Sequence, residues 1–130
     1  MIANRNLLIW VSFWGFLGLF LFTVGGRLFY PYQLEWMEGE TLIYLARLWE
    51  AKSFYISPTL EWTPFLYNFL YFYACYAFNF LVADGFIAAR LVSILSILAT
   101  VYLLFLIVRD WCGEKIYGVL AAAIFLASYV

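Results

Sequence analysis

Three carboxylates, Glu35, Glu38 and Glu40, stand among Tyr30, Tyr32 and Trp36 just beyond an uncharged apolar run, in a chain where charge is scarce. None of the 130 residues is a histidine, so the usual general base at neutral pH, the Ser-His-Asp constellation and the commonest transition-metal ligand are all missing. Acid–base chemistry therefore falls to carboxylates. Further along, Glu61 and Trp62 could hold a sugar by hydrogen bonding and ring stacking, although a Trp at a membrane boundary also serves as an anchor. Cys75 and Cys112 lie in or beside apolar segments with no metal-ligand spacing, and read as inert free thiols rather than a disulfide. No GxGxxG, P-loop, nucleophile elbow or metal motif occurs, and no internal repeat or low-complexity tract.

The elements that must position these residues follow from composition. With 68% hydrophobic, 24% aromatic and only 12% charged residues, the chain lies far outside soluble globular norms, and the expectation is an all-α integral membrane protein. A net charge of -1 without basic runs gives no footprint for nucleic acid or for an anionic lipid surface. Asn6 to Gly26 carries one charge-free run of about the 20 residues that cross a hydrocarbon core. It reads as a retained anchor rather than a cleaved signal, because its apolar stretch is long and Thr23-Val24-Gly25-Gly26 is a poor cleavage site. Leu91 to Val108, between Arg90 and Arg109, is a second good span, and a third apolar run starts at Ile116 and stops at Val130. Thr63 to Ala83 is also uncharged but crowded with Phe and Tyr, which suits a helix lying partly in the interface as well as one that crosses.

Between these segments, Gly39 to Lys52 has strong helix formers, an acid near its start and a base near its end, and predicts a short amphipathic helix. Extended back to Glu38, at about 100 degrees per residue it groups Glu38, Leu42, Leu45 and Trp49 on one face, with Glu40 and Arg47 nearly opposite. Glu40 is then expected as a solvated carboxylate near Arg47, and Glu38 at the mouth of an apolar groove. Desolvation would raise the Glu38 pKa there and the helix dipole would lower it, so its direction is open. Tyr55 to Pro64 is expected to be extended, because Pro58 and Pro64 disfavour helix in the residues before them.

This order of residues resembles the membrane-embedded GT-C glycosyltransferases, particularly the protein O-mannosyltransferase and aminoarabinose transferase branch. The resemblance covers nearly the whole chain: a first span, then Glu38, Tyr44, Ala46-Arg47, Pro64 with Phe65-Leu66-Tyr67, Ala89-Arg90-Leu91 and Arg109. The family's first acid lies eight residues before the Ala of Ala-Arg, and counting back from Ala46 lands on Glu38. Two departures stand out: Glu replaces the usual Asp, and Gly39 occupies the place of the second acid of the family's pair.

The resemblance implies about three transmembrane helices, with the amphipathic and aromatic helices in a first external loop. Residues 1–130 would form a single membrane-embedded unit, the N-terminal part of a larger polytopic module in the plasma (inner) membrane. Arg109 and Lys115 would then be cytoplasmic, as the positive-inside rule prefers. It further implies inverting transfer of a sugar from a polyprenyl-phosphate donor to an acceptor on the extracytoplasmic side. Glu38 would be the catalytic base, and Glu35, Glu40, Glu61 and Arg90 substrate-binding candidates. Arg90 could meet the lipid phosphate or snorkel as an interfacial anchor. No metal ligand is assigned, a divalent metal ion stays open as a cofactor, and membrane lipids and further membrane subunits are the expected partners besides the donor. The alternative from a different class is a small non-catalytic membrane subunit, packing through its aromatic helix in a larger complex.

Overall fold

The computed structural model describes residues 2–60, 62–64 and 68–129 and, among them, is all helical. Five helices follow one another: α1 (Ile2–Leu28), α2 (Trp36–Trp49), α3 (Phe69–Val82), α4 (Gly85–Cys112) and α5 (Lys115–Ala127). Among the described residues, only α1 and α4 are helices long and apolar enough to cross a membrane. At about 1.5 Å per residue, the 14-residue α3 reaches only about 21 Å, short of a hydrocarbon core of roughly 30 Å. Helix α3 begins at Phe69, six residues into the apolar stretch that starts at Thr63. The side chain of Asn68 fixes that start by accepting a hydrogen bond from the Leu70 amide.

Helix boundaries follow local chemistry. Helix α1 carries Arg27 in its last turn, where a cation complements the dipole, and Pro31 follows shortly after its end. Helix α4 starts at Gly85 rather than Leu91, because the Asp84 carboxylate accepts from the Ile87 amide at 2.9 Å, an N-cap three residues upstream of its donor. Between α4 and α5, Gly113 adopts a left-handed φ of 75° and its amide bonds the Arg109 carbonyl, closing α4.

The backbone divides into two compact units, Met1–Phe29 with Ile94–Val130, and Tyr30–Ser93. In the first, α5 packs along α1, and Phe20, Val101, Ala122 and Leu126 form the core with Phe13, Leu17, Ile97 and Phe105 around it. Gly118 lets α5 approach α4 closely: a Cβ there would lie 2.6 Å from the Phe105 carbonyl oxygen. In the second unit, α2 packs on α3 and on the first turns of α4. One cluster joins Leu45, Cys75, Ala89 and Val92; the other joins Tyr44, Phe54 and Phe72, with Leu48 and Trp62 against it. Tyr44 stacks on Phe72 with centroids 4.1 Å apart, and its edges meet Phe54 and Trp62. Gly85 sits directly against the Leu42 side chain, so the α4 N-terminus and α2 meet without an intervening Cβ.

Candidate functional site

The site is built at the start of α2. Glu35 is the N-cap residue, with extended backbone (φ -141°, ψ 146°) and no capping bond from its own side chain. That leaves Glu38, at the third helical position, to satisfy the donors before the helix. Its Oε2 accepts from the Leu34 amide at 2.7 Å, reaching back as the Glu of a capping box does, and its own amide donates to the Glu35 carbonyl at 3.0 Å. The helix dipole favours a carboxylate here. This reach explains why α2 starts at Trp36, three residues before the expected Gly39.

Arg90 meets the same carboxylate from α4. Its Nε donates to Glu38 Oε1 at 2.8 Å and its Nη2 to Oε2 at 2.9 Å, a fork-on-fork pair between residues 52 apart in sequence. The guanidinium also reaches backbone: Nη1 donates to the Tyr30 carbonyl at 2.6 Å, and Nη2 to the Tyr32 carbonyl at 2.9 Å. The side chains are 8% (Arg90) and 18% (Glu38) exposed, so the pair is sheltered but open on one side. Charge-assisted bidentate geometry of this kind is the strong form of an ion pair. It resolves the direction left open above: the Arg90 bonds outweigh burial, and with the Leu34 amide they hold the Glu38 carboxyl below the usual carboxylate range. Glu38 is therefore ionised at neutral pH. Among the described residues, Oε2 takes two donors and Oε1 takes only Arg90 Nε, so Oε1 is the oxygen with capacity for a further donor.

The other candidates sit differently. Glu35 is exposed and Glu40 half-buried, and neither turns its carboxylate into an ion pair among the described residues. Glu61 lies outside the described residues. The expected neighbourhood of Glu40 and Arg47 is not formed: seven residues of helix separate them by about 10 Å. Arg47 instead donates through Nε and Nη2 to the Ser53 carbonyl, at 3.3 and 2.7 Å. Ala51, in a left-handed conformation with φ 53°, folds the chain back to bring that carbonyl within reach. The Arg47 guanidinium also covers one face of Trp62 at 3.9 Å, while the Trp62 indole donates to the Phe54 carbonyl at 3.2 Å. Trp62 is thus a packing residue of the aromatic cluster, with that ring face already occupied.

Gly39, in the place of the family's second acid, lies under the Gln33 carboxamide; a Cβ there would be 2.7 Å from Gln33 Oε1. Among the described residues, no three His, Cys, Asp or Glu side chains converge as a metal site, and Glu38 is committed to Arg90 and Leu34. What the sequence did not disclose is the part played by backbone: the Tyr30 and Tyr32 carbonyls and the Leu34 amide complete the site, and no residue type marks them. Comparison of the chain with protein-family models, with curated proteins and with solved structures returned no match.

Proposed function

We propose that this chain is an integral membrane protein carrying the first catalytic loop of a GT-C-type glycosyltransferase, which moves a sugar from a polyprenyl-phosphate donor to a hydroxyl acceptor at the extracytoplasmic face of the plasma membrane. The supporting observation is Glu38: a carboxylate ionised at neutral pH, fixed by three charge-assisted hydrogen bonds at the start of α2, with one oxygen able to accept another donor. The helices α1 and α4, each of spanning length and apolarity, bracket the loop that bears it.

In the proposed reaction the acceptor hydroxyl donates to Glu38 Oε1 and attacks the anomeric carbon from the face opposite the phosphate. The new carbon–oxygen bond forms as the bond to phosphate breaks, the hydroxyl proton passes to Glu38, and polyprenyl phosphate leaves with the bonding pair. Inversion at the anomeric carbon follows from that single displacement. A carboxylate with a lowered pKa is a weak base, so proton transfer belongs late in the step, when the attacking oxygen has become acidic.

The test is turnover in proteoliposomes supplied with a polyprenyl-phosphate hexose and a hydroxyl acceptor. Protein-dependent release of free polyprenyl phosphate, with an inverted glycosidic product, is the expected result. One observation favours a second reading, a non-catalytic membrane subunit: the Glu38–Arg90 pair satisfies backbone groups of the 30–34 segment and so has a structural use of its own. Isolation in a larger complex whose activity is indifferent to Glu38 substitution would favour that reading.

A further inference from the structure

We propose that Arg90 is the positioning residue of the Glu38 carboxylate, not a ligand of the donor phosphate; its catalytic consequence rests on the glycosyltransferase reading above. The guanidinium holds three residues of one segment at once: both Glu38 oxygens at 2.8 and 2.9 Å, the Tyr30 carbonyl at 2.6 Å and the Tyr32 carbonyl at 2.9 Å. A phosphate contact needs donors that point outward, and the Nε–H, the two Nη2–H and one Nη1–H all point inward onto the 30–38 segment. Displacing them would strand two carbonyls and a carboxylate in a site where the arginine is only 8% exposed.

The arrangement also says what the positioning achieves. Between the end of α1 at Leu28 and the start of α2 at Trp36, the chain has no helix to hold it. Arg90 pins that linker at Tyr30 and Tyr32, and Glu38 pins it at Leu34. The same network that ties down the linker sets the direction of the Glu38 carboxylate. Its anchor is packed, since the first turns of α4 meet α2 through the buried cluster of Leu45, Ala89 and Val92. Only a planar fork can do this: a lysine ammonium keeps the charge but cannot span both Glu38 oxygens and two carbonyls together.

The experiment uses the full-length protein in proteoliposomes with Arg90→Lys and, as a second variant, Arg90→Ala. Amide hydrogen exchange of the 30–38 segment is read beside kcat and the KM for a polyprenyl-phosphate hexose. Loss of charge-assisted hydrogen bonds predicts exchange at Leu34 about tenfold faster or more in both variants, with 94–112 unchanged. For turnover, kcat falls by about two orders of magnitude, the scale of a misplaced catalytic group, while the donor KM stays within about twofold. Wild-type exchange across 30–38 in Arg90→Lys overturns the proposal. So does a normal kcat with a raised donor KM, which would return Arg90 to the phosphate. Faster exchange in a protein whose wild type transfers no sugar supports the positioning and removes the glycosyltransferase reading alone.

Discussion

Gly118 offers a sharp test of how closely α5 lies on α4. A Cβ at this position would stand 2.6 Å from the Phe105 carbonyl oxygen, 2.9 Å from Phe105 Cδ2 and 3.3 Å from Arg109 Cβ. The first of these is backbone inside a helix, so the neighbour cannot rotate away. Reaching an ordinary contact requires α5 to back off by about 0.8 Å, and close-packed interiors resist such a shift at roughly 1–3 kcal/mol. Replacing a helical Gly by Ala recovers up to about 1 kcal/mol of propensity, which leaves Gly118→Ala destabilised by about 1 kcal/mol and Gly118→Leu by about 3. Two other glycines calibrate the comparison. Gly18 has nothing within 4 Å of its virtual Cβ, so Gly18→Ala gains the propensity without a clash. Gly85 meets the far end of the flexible Leu42 side chain, so Gly85→Ala is close to neutral. Thermal unfolding in detergent, followed by far-ultraviolet circular dichroism, should rank Gly18→Ala at or above wild type, then Gly118→Ala lower by roughly 4 °C, then Gly118→Leu. A midpoint for Gly118→Ala as high as that of Gly18→Ala would refute the close approach of the two helices.

Three further outcomes are expected. Cys112 is exposed whereas Cys75 is fully buried, with burial pushing its thiol up to about 11, so maleimide should modify Cys112 in the native protein and Cys75 only after denaturation; under the looped topology, an impermeant reagent outside intact cells labels neither. Because the Glu38 carboxyl is held below its ordinary value of 4.5, its contribution to stability is complete above that value and is lost as pH falls through the lower folded one; unfolding midpoints of wild type and Glu38→Gln should therefore keep a constant separation from neutral pH to about 4.5 and converge only below it. Tyr44 is 1% exposed, with Phe72 stacked on it and Phe54 and Trp62 edge-on, so Tyr44→Ala should cost about 3–5 kcal/mol in chemical denaturation.

The sequence disclosed what is local and concealed what is distant. The long apolar runs announced α1 and α4, and a period near 3.6 placed Glu38, Leu42 and Leu45 on one face of α2, where Leu42 and Leu45 do pack. Trp49 belongs to the same face, its ring against Tyr76 and Phe80, although it remains half exposed. The neighbouring stripe of Thr41, Tyr44 and Leu48 is hidden from the sequence, because its partners Phe54 and Phe72 come from outside α2 and leave no trace in that helix's own pattern. The start of α4 is legible in Asp84-Gly85, an acid at a cap position, whereas the uncharged run begins only at Leu91, after Arg90. Arg90 stands inside the helix because its charge is met by Glu38 and two carbonyls. A pair separated by 52 residues carries no spacing rule, so the site's main feature was visible in the sequence only as two unrelated charges.

In the proposed reaction Glu38 accepts the proton of the acceptor hydroxyl. Glu38→Gln keeps the size of the side chain and an oxygen for the Leu34 amide, but removes the negative charge and the basic site. The most direct measurement is the rate of sugar transfer from a polyprenyl-phosphate hexose by wild type and Glu38→Gln in the full-length protein, at equal amounts in the membrane. Loss of transfer by two orders of magnitude or more at unchanged abundance is the predicted result, matching the scale of general-base catalysis. Near-wild-type turnover by Glu38→Gln would contradict it.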